Sequence, residues 1–91
     1  MERKKKFKIR VLEDNRFYNR LITGYLEKYA ENLSADHPID FEVVGYMAPR
    51  DFLEHLPEDT NMAVVDYYLG DDSSGLVVLQ QIRQKCKDCN V

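Results

Sequence analysis

Through FKIRVLEDN the side chains alternate. Phe7, Ile9 and Val11 fall on one side and Lys8 and Arg10 on the other, and the alternation ends at an acidic pair, Glu13 and Asp14. That period of two predicts a strand from Ile9 to Leu12. The pattern then changes period. In NRFYNRLITGYLEKYAENL the apolar residues Phe17, Leu21, Ile22, Tyr25, Leu26, Tyr29 and Leu33 recur at helical spacing, and Asn15 is a suitable cap. Gly24 interrupts this helix at a cost of about 1 kcal/mol against Ala, which suggests close packing there.

SADHPID reads as a loop from its Ser, Asp and Pro content. FEVVGY is a second short strand. APRDFLEHL follows as a short helix, with Pro49 near its start, an apolar face of Phe52, Leu53 and Leu56, and Pro57 to end it. NMAVVDYYL is a third strand. Its uninterrupted run from Met62 to Val65 suits a strand covered on both faces. SSGLVVLQQIRQKC is a third helix, with Leu76, Leu79, Ile82 and Val78 as inward candidates. The order β-α-β-α-β-α predicts an α/β domain with a parallel sheet and right-handed crossovers.

The chain has 91 residues, room for one small domain with a thin core. A net charge of −3 gives no general case for nucleic acid binding. The basic run RKKKFK reads as a solvated, partly frayed N-terminus. No apolar stretch nears the roughly 20 residues that span a bilayer, and no signal-peptide core is present. A cytoplasmic protein is expected. Cys86 and Cys89 form a lone C-x-x-C at the end of a helical pattern. A redox pair of this kind usually opens a helix, so these read as incidental thiols.

Three carboxylates stand out. Glu13 and Asp14 end the first strand, and Asp66 follows the apolar run of the third. Strands of a parallel sheet finish on one edge. If the first and third are neighbours, the three acids meet where ligands bind in open α/β sheets. Clustered carboxylates raise one another's pKa unless a cation lies between them, and a hard ion such as Mg²⁺ suits oxygen ligands. A carboxylate so placed can accept a phosphoryl group as an acyl phosphate. The plainer reading, that Glu13 and Asp14 only favour the dipole of the first helix, leaves Asp66 unexplained.

VLEDN and VVDYYLGDDSSG resemble the first acidic motif and the phosphoacceptor motif of response-regulator receiver domains, a similarity that covers nearly the whole chain. It implies a flavodoxin-like sheet of order 2-1-3 in which these residues supply the first three βα units. It implies Asp66 as the phosphorylated aspartate, Asp14 as a direct Mg²⁺ ligand, Glu13 as a ligand through water, and the backbone carbonyl of Tyr68 as a further ligand. The phosphoryl donor would be a histidine kinase or phosphotransfer protein, and the chain would be a phosphoacceptor rather than an enzyme.

The match departs from the family in its loop, where Gly75 lies one residue late and the usual Pro is missing. A receiver domain also continues into fourth and fifth βα units, whose strands end in a Ser or Thr and a Lys that contact the phosphoryl group. Neither has a counterpart here, so phosphorylation is expected to be impaired in this short form. With the third strand as an edge, a homodimer completed by that strand or an exchanged segment is expected.

Two other readings fit parts of the pattern. One is a pseudo-receiver or dimerising module without chemistry. The other is a different phosphoryl-transfer enzyme. Haloacid-dehalogenase-like phosphatases want D-x-D, and Tyr68 stands two beyond Asp66. No G-x-x-x-x-G-K loop is present to make an NTPase. His37 and His55 read as surface residues rather than bases.

Overall fold

Charged residues at the start of the chain are drawn into the sheet by the apolar residues alternating with them. In the computed structural model, which describes residues 5–35, 39–65, 75–86 and 90, β1 runs over Lys5–Leu12 and pairs in parallel along its whole length with β2, Ile39–Tyr46. Phe7 lies opposite Phe41, with ring centroids 5.4 Å apart. Lys6 pairs with Glu42 at 3.1 Å and Lys8 with Asp59 at 2.9 Å. Residues 5–8 are therefore strand and not a frayed arm. The amines of Lys6 and Lys8 are held by acids on neighbouring segments, which lets the strand begin before the apolar run.

The third strand, β3, covers Met62–Val65 and pairs in parallel with the second half of β1, from Ile9↔Met62 to Leu12↔Val65. The sheet order is β2-β1-β3, the 2-1-3 order expected. Asn90 forms a parallel bridge to Met62 on the other side of β3. It accepts a hydrogen bond from the Ala63 N–H at 2.7 Å and donates its own N–H to Asn61 O at 2.9 Å. The chain thus returns after the last helix to the start of the β3 edge.

Among the described residues three helices cover the strands: α1 over Arg16–Ser34, α2 over Pro49–His55 and α3 over Gly75–Lys85. Asn15 caps α1, its side chain accepting the Tyr18 N–H at 3.1 Å, and Pro49 opens α2. The principal core lies between the sheet and α2 and α3. Leu12, Phe52, Leu56, Ala63, Val78, Ile82 and Cys86 are buried there, with Tyr46, Leu53 and Val65 packed around them. Cys86 is a core residue whose thiol donates to Thr60 O at 3.2 Å. Cys89 and His37 lie outside the described residues.

On the opposite face, Ile9 and Val11 are buried beneath α1, which also packs on β2. Here the sequence pattern misleads. Phe17, Leu21, Tyr25 and Tyr29 are exposed, and the helix instead buries Asn19 and Ala30, with Ile22, Leu26 and Leu33 half-buried. The apolar residues of α1 span more of the helix than one sheet face can cover.

Candidate functional site at the strand ends

The carboxyl ends of β1 and β3 lie side by side because Leu12 pairs with Val65. Glu13 follows Leu12 directly. It is only 8% exposed, and its backbone N–H continues the β1–β2 pairing by donating to Tyr46 O at 3.0 Å. Asp14, the next residue, is exposed. The two expected acids are thus brought together at one strand end, one turned into the protein and one toward solvent. Asp66 and Tyr68 lie outside the described residues. Val65, which leads into Asp66, is described and stands beside the residue that leads into Glu13. Among the described residues no three His, Cys, Asp or Glu side chains form a group able to hold a metal ion, a set that does not include Asp66.

A residue that the sequence reading passed over fixes this rim. Asn19, on the first turn of α1, is buried and donates its amide to Glu13 O at 3.0 Å and Tyr46 O at 2.8 Å. One side chain thereby ties α1 to the ends of two strands and holds the Glu13–Asp14 segment against β2. Gly45 admits it. A Cβ at Gly45 would lie 2.4 Å from Asn19 Oδ1 and 2.8 Å from Thr23 Cγ2. The sequence signal for this contact was a polar residue four positions after the helix cap, opposite a glycine in the neighbouring strand.

Arg10 was also unforeseen. Alternation places it on the polar side of β1, yet it is 5% exposed. Its guanidinium donates to Ile9 O and Glu42 O, both at 3.1 Å, and pairs with the Glu42 carboxylate. The Arg10 hydrogen bond, then that of Lys6, holds the Glu42 carboxyl below its ordinary value. Lys8 does the same for Asp59. These pairs sit along the sheet rather than at the rim.

Lys85 is engaged elsewhere. Its ammonium donates to Leu53 O and Glu54 O at the end of α2. A crossover helix ends at the edge of the sheet opposite the carboxyl ends of the strands, so this cation serves a helix terminus and not the acids. His55 is exposed, with its ring nitrogen bonded to Asp51 O at 2.8 Å. Among the described residues no helix is long and apolar enough to cross a membrane. In comparisons with protein-family models, with curated proteins and with solved structures, nothing matches the chain.

Proposed function

We propose that this chain is a receiver-type phosphoacceptor, with a flavodoxin-like sheet and Asp66 as the residue that takes a phosphoryl group in cytoplasmic two-component signalling. The observation that carries the reading is the pairing of Leu12 with Val65. It sets Glu13 and Asp14 beside the strand end from which Asp66 follows, at the divergence of crossovers to opposite faces where open α/β sheets bind ligands.

In the proposed reaction a carboxylate oxygen of Asp66 attacks phosphorus in line. The bond from phosphorus to the histidine nitrogen of the donor protein breaks, and its electron pair stays on the imidazole, which regains a proton from water. The donor is a histidine kinase or phosphotransfer protein. Two adjacent carboxylates at one strand end are the donor chemistry a hard cation needs, and Asp14, Asp66, the Tyr68 carbonyl and, through water, Glu13 would hold Mg²⁺. The ion supplies charge neutralisation on phosphoryl oxygens. Asn19 fixes the backbone that carries two of these acids, and burial of Glu13 keeps that segment from swinging free.

Acetyl phosphate serves as a small donor to test the proposal, with acid-stable and alkali-labile phosphate measured by intact mass. Expected is weak labelling that needs Mg²⁺, disappears in Asp66→Asn and persists in Asp71→Asn. A parallel Mg²⁺ titration followed by tyrosine fluorescence should saturate in the parent chain and fail in Asp14→Asn. No Mg²⁺ response in a folded parent chain, together with no labelling at Asp66, refutes the proposal.

A further inference from the structure

We propose that α1 is a self-association surface, on which two copies of this chain pair their first helices antiparallel about a twofold axis between Thr23 and Gly24. The inference does not depend on phosphoryl chemistry. Three independent features of the helix converge on that centre.

The first is an aromatic ridge. Phe17, Leu21, Tyr25 and Tyr29 follow one another at a spacing of four, the spacing of a continuous ridge on a helix surface. They are 69%, 42%, 67% and 65% exposed. Tyr18 widens the patch, its ring edge-on to Phe17 at 5.5 Å. Large exposed aromatics in a contiguous row mark an interaction surface, whereas scattered ones do not.

The second is the charge on the flank of that ridge. Arg16, Arg20, Glu27 and Glu31 are all exposed, and their spacing puts them along one side of the helix. The basic pair lies in the amino-terminal half and the acidic pair in the carboxyl-terminal half. In an antiparallel pair the same flank of each helix meets its copy. Residues related by an axis at the Thr23–Gly24 junction are then Arg16 with Glu31 and Arg20 with Glu27 of the second copy. Each of these four charges meets its opposite. A parallel twofold pairing would instead turn this flank toward the other flank of the copy, and the four charges would not meet.

The third is Gly24. It costs helix stability, and the close packing expected from it does not occur within the chain, since an added Cβ meets nothing within 4 Å. At a helix crossing, a glycine lets two backbones approach closely. It stands where the axis passes.

The size of the patch sets the strength. Phe17, Tyr18, Tyr25 and Tyr29 are 53–69% exposed, and at roughly 150–250 Å² for a whole aromatic side chain two copies bring together on the order of 1,000 Å². That lies below the roughly 1,200–2,000 Å² of stable specific interfaces and corresponds to a weak, concentration-dependent dimer. A net charge of −3 disfavours an anionic membrane as the occupant.

The test is a charge exchange read by sedimentation equilibrium of the full 91-residue chain. The wild type should dimerise reversibly, and more weakly at high salt. Arg16→Glu/Arg20→Glu makes the flank wholly acidic, and Glu27→Arg/Glu31→Arg makes it wholly basic. Each variant alone should dimerise at least tenfold more weakly, and an equimolar mixture should recover a heterodimer. Tyr25→Ser, at an exposed site with the flank charges intact, should also weaken association at least tenfold, with circular dichroism unchanged. Wild type that stays monomeric, charge variants that self-associate as wild type does, a mixture that does not recover association, or binding of the monomer to anionic phosphatidylserine vesicles without self-association would each overturn the proposal.

Discussion

Gly45 and Asn19 act as one unit, each chosen for the other. The amide of Asn19 reaches Glu13 O and Tyr46 O because nothing stands on the Gly45 Cα to obstruct it. Gly45→Ala should therefore destabilise the protein by about 1–3 kcal/mol, the usual range for overfilling a packed site. Asn19→Ala should cost about 1–2 kcal/mol through two buried hydrogen bonds. The double variant should lose less than the sum, by at least about 0.5 kcal/mol, because the second change removes the atom that the first collides with. Urea unfolding of the four proteins measures this. Strict additivity would show that the two residues act separately.

Glu42 gives the residue scale its pH dependence. Arg10, then Lys6, lowers its carboxyl below the ordinary 4.5. The folded value lies below the unfolded one, so the stabilisation is fully present above about pH 4.5 and is lost as the pH falls through the depressed value. The Glu42 side chain is 36% exposed, so solvent screening holds the effect to about 1 kcal/mol or less. Glu42→Gln should be less stable than the parent by that amount near neutrality. The difference should shrink toward zero in acid, where the parent's carboxyl is itself protonated. A constant difference across the acid limb of a pH–stability curve would remove the carboxylate as its cause.

At the level of elements, the helix over the larger core is the part most exposed to damage. Phe52 is fully buried, and it meets Tyr46 edge-on at 5.9 Å. Phe52→Ala should cost about 3–5 kcal/mol. A domain of this size holds roughly 5–10 kcal/mol in all, so the thermal transition should fall steeply and broaden. Leu53→Ala, on the half-buried side of the same helix, should cost clearly less.

The inward face of α2 was legible because Phe52 and Leu53 are its only large apolar residues and leave one choice of face, whereas α3 opens on an apolar run that spans both faces. Phe52, Leu56, Val78 and Ile82 are buried as expected, Leu79 is half-buried, and the Leu76 side chain lies outside the described residues. The α1 helix carries apolar residues around more than half of its circumference, and periodicity alone could not say which side faced the sheet. The side that did so is marked by Asn19 and Ala30, one polar and one small. Strand starts were hidden differently. Lys5, Lys6 and Asp40 carry no apolar signal, and they pair because the Phe7–Phe41 contact sets the register around them. Of the expected acid rim, Glu13 and Asp14 stand together where the strand ended in the sequence pattern. What the pattern could not reveal was the difference in burial between them, which depends on Asn19 and Tyr46 holding the segment down.

At the scale of the whole molecule the sheet has two outer edges, and the β3 edge is engaged by the same chain. Two hydrogen bonds, Ala63 N–H to Asn90 O and Asn90 N–H to Asn61 O, seat residue 90 there. An apolar edge strand left open is a template for pairing with other chains, so this short return should limit aggregation as well as add stability. A chain ending at Cys86 should lose about 1–2 kcal/mol from the two bonds. The Ala63 amide, now without its acceptor, should exchange with solvent markedly faster, while the Ile9 and Val11 amides inside the sheet slow or quicken only with global stability. The shortened chain should also aggregate at lower concentration. That association would differ from pairing through α1: it would involve backbone hydrogen bonds at β3, would resist salt, and would persist in Arg16→Glu/Arg20→Glu. Hydrogen exchange of the two chains, read amide by amide, separates these effects. Unchanged protection at Ala63 would mean that Asn90 does not close the edge in solution.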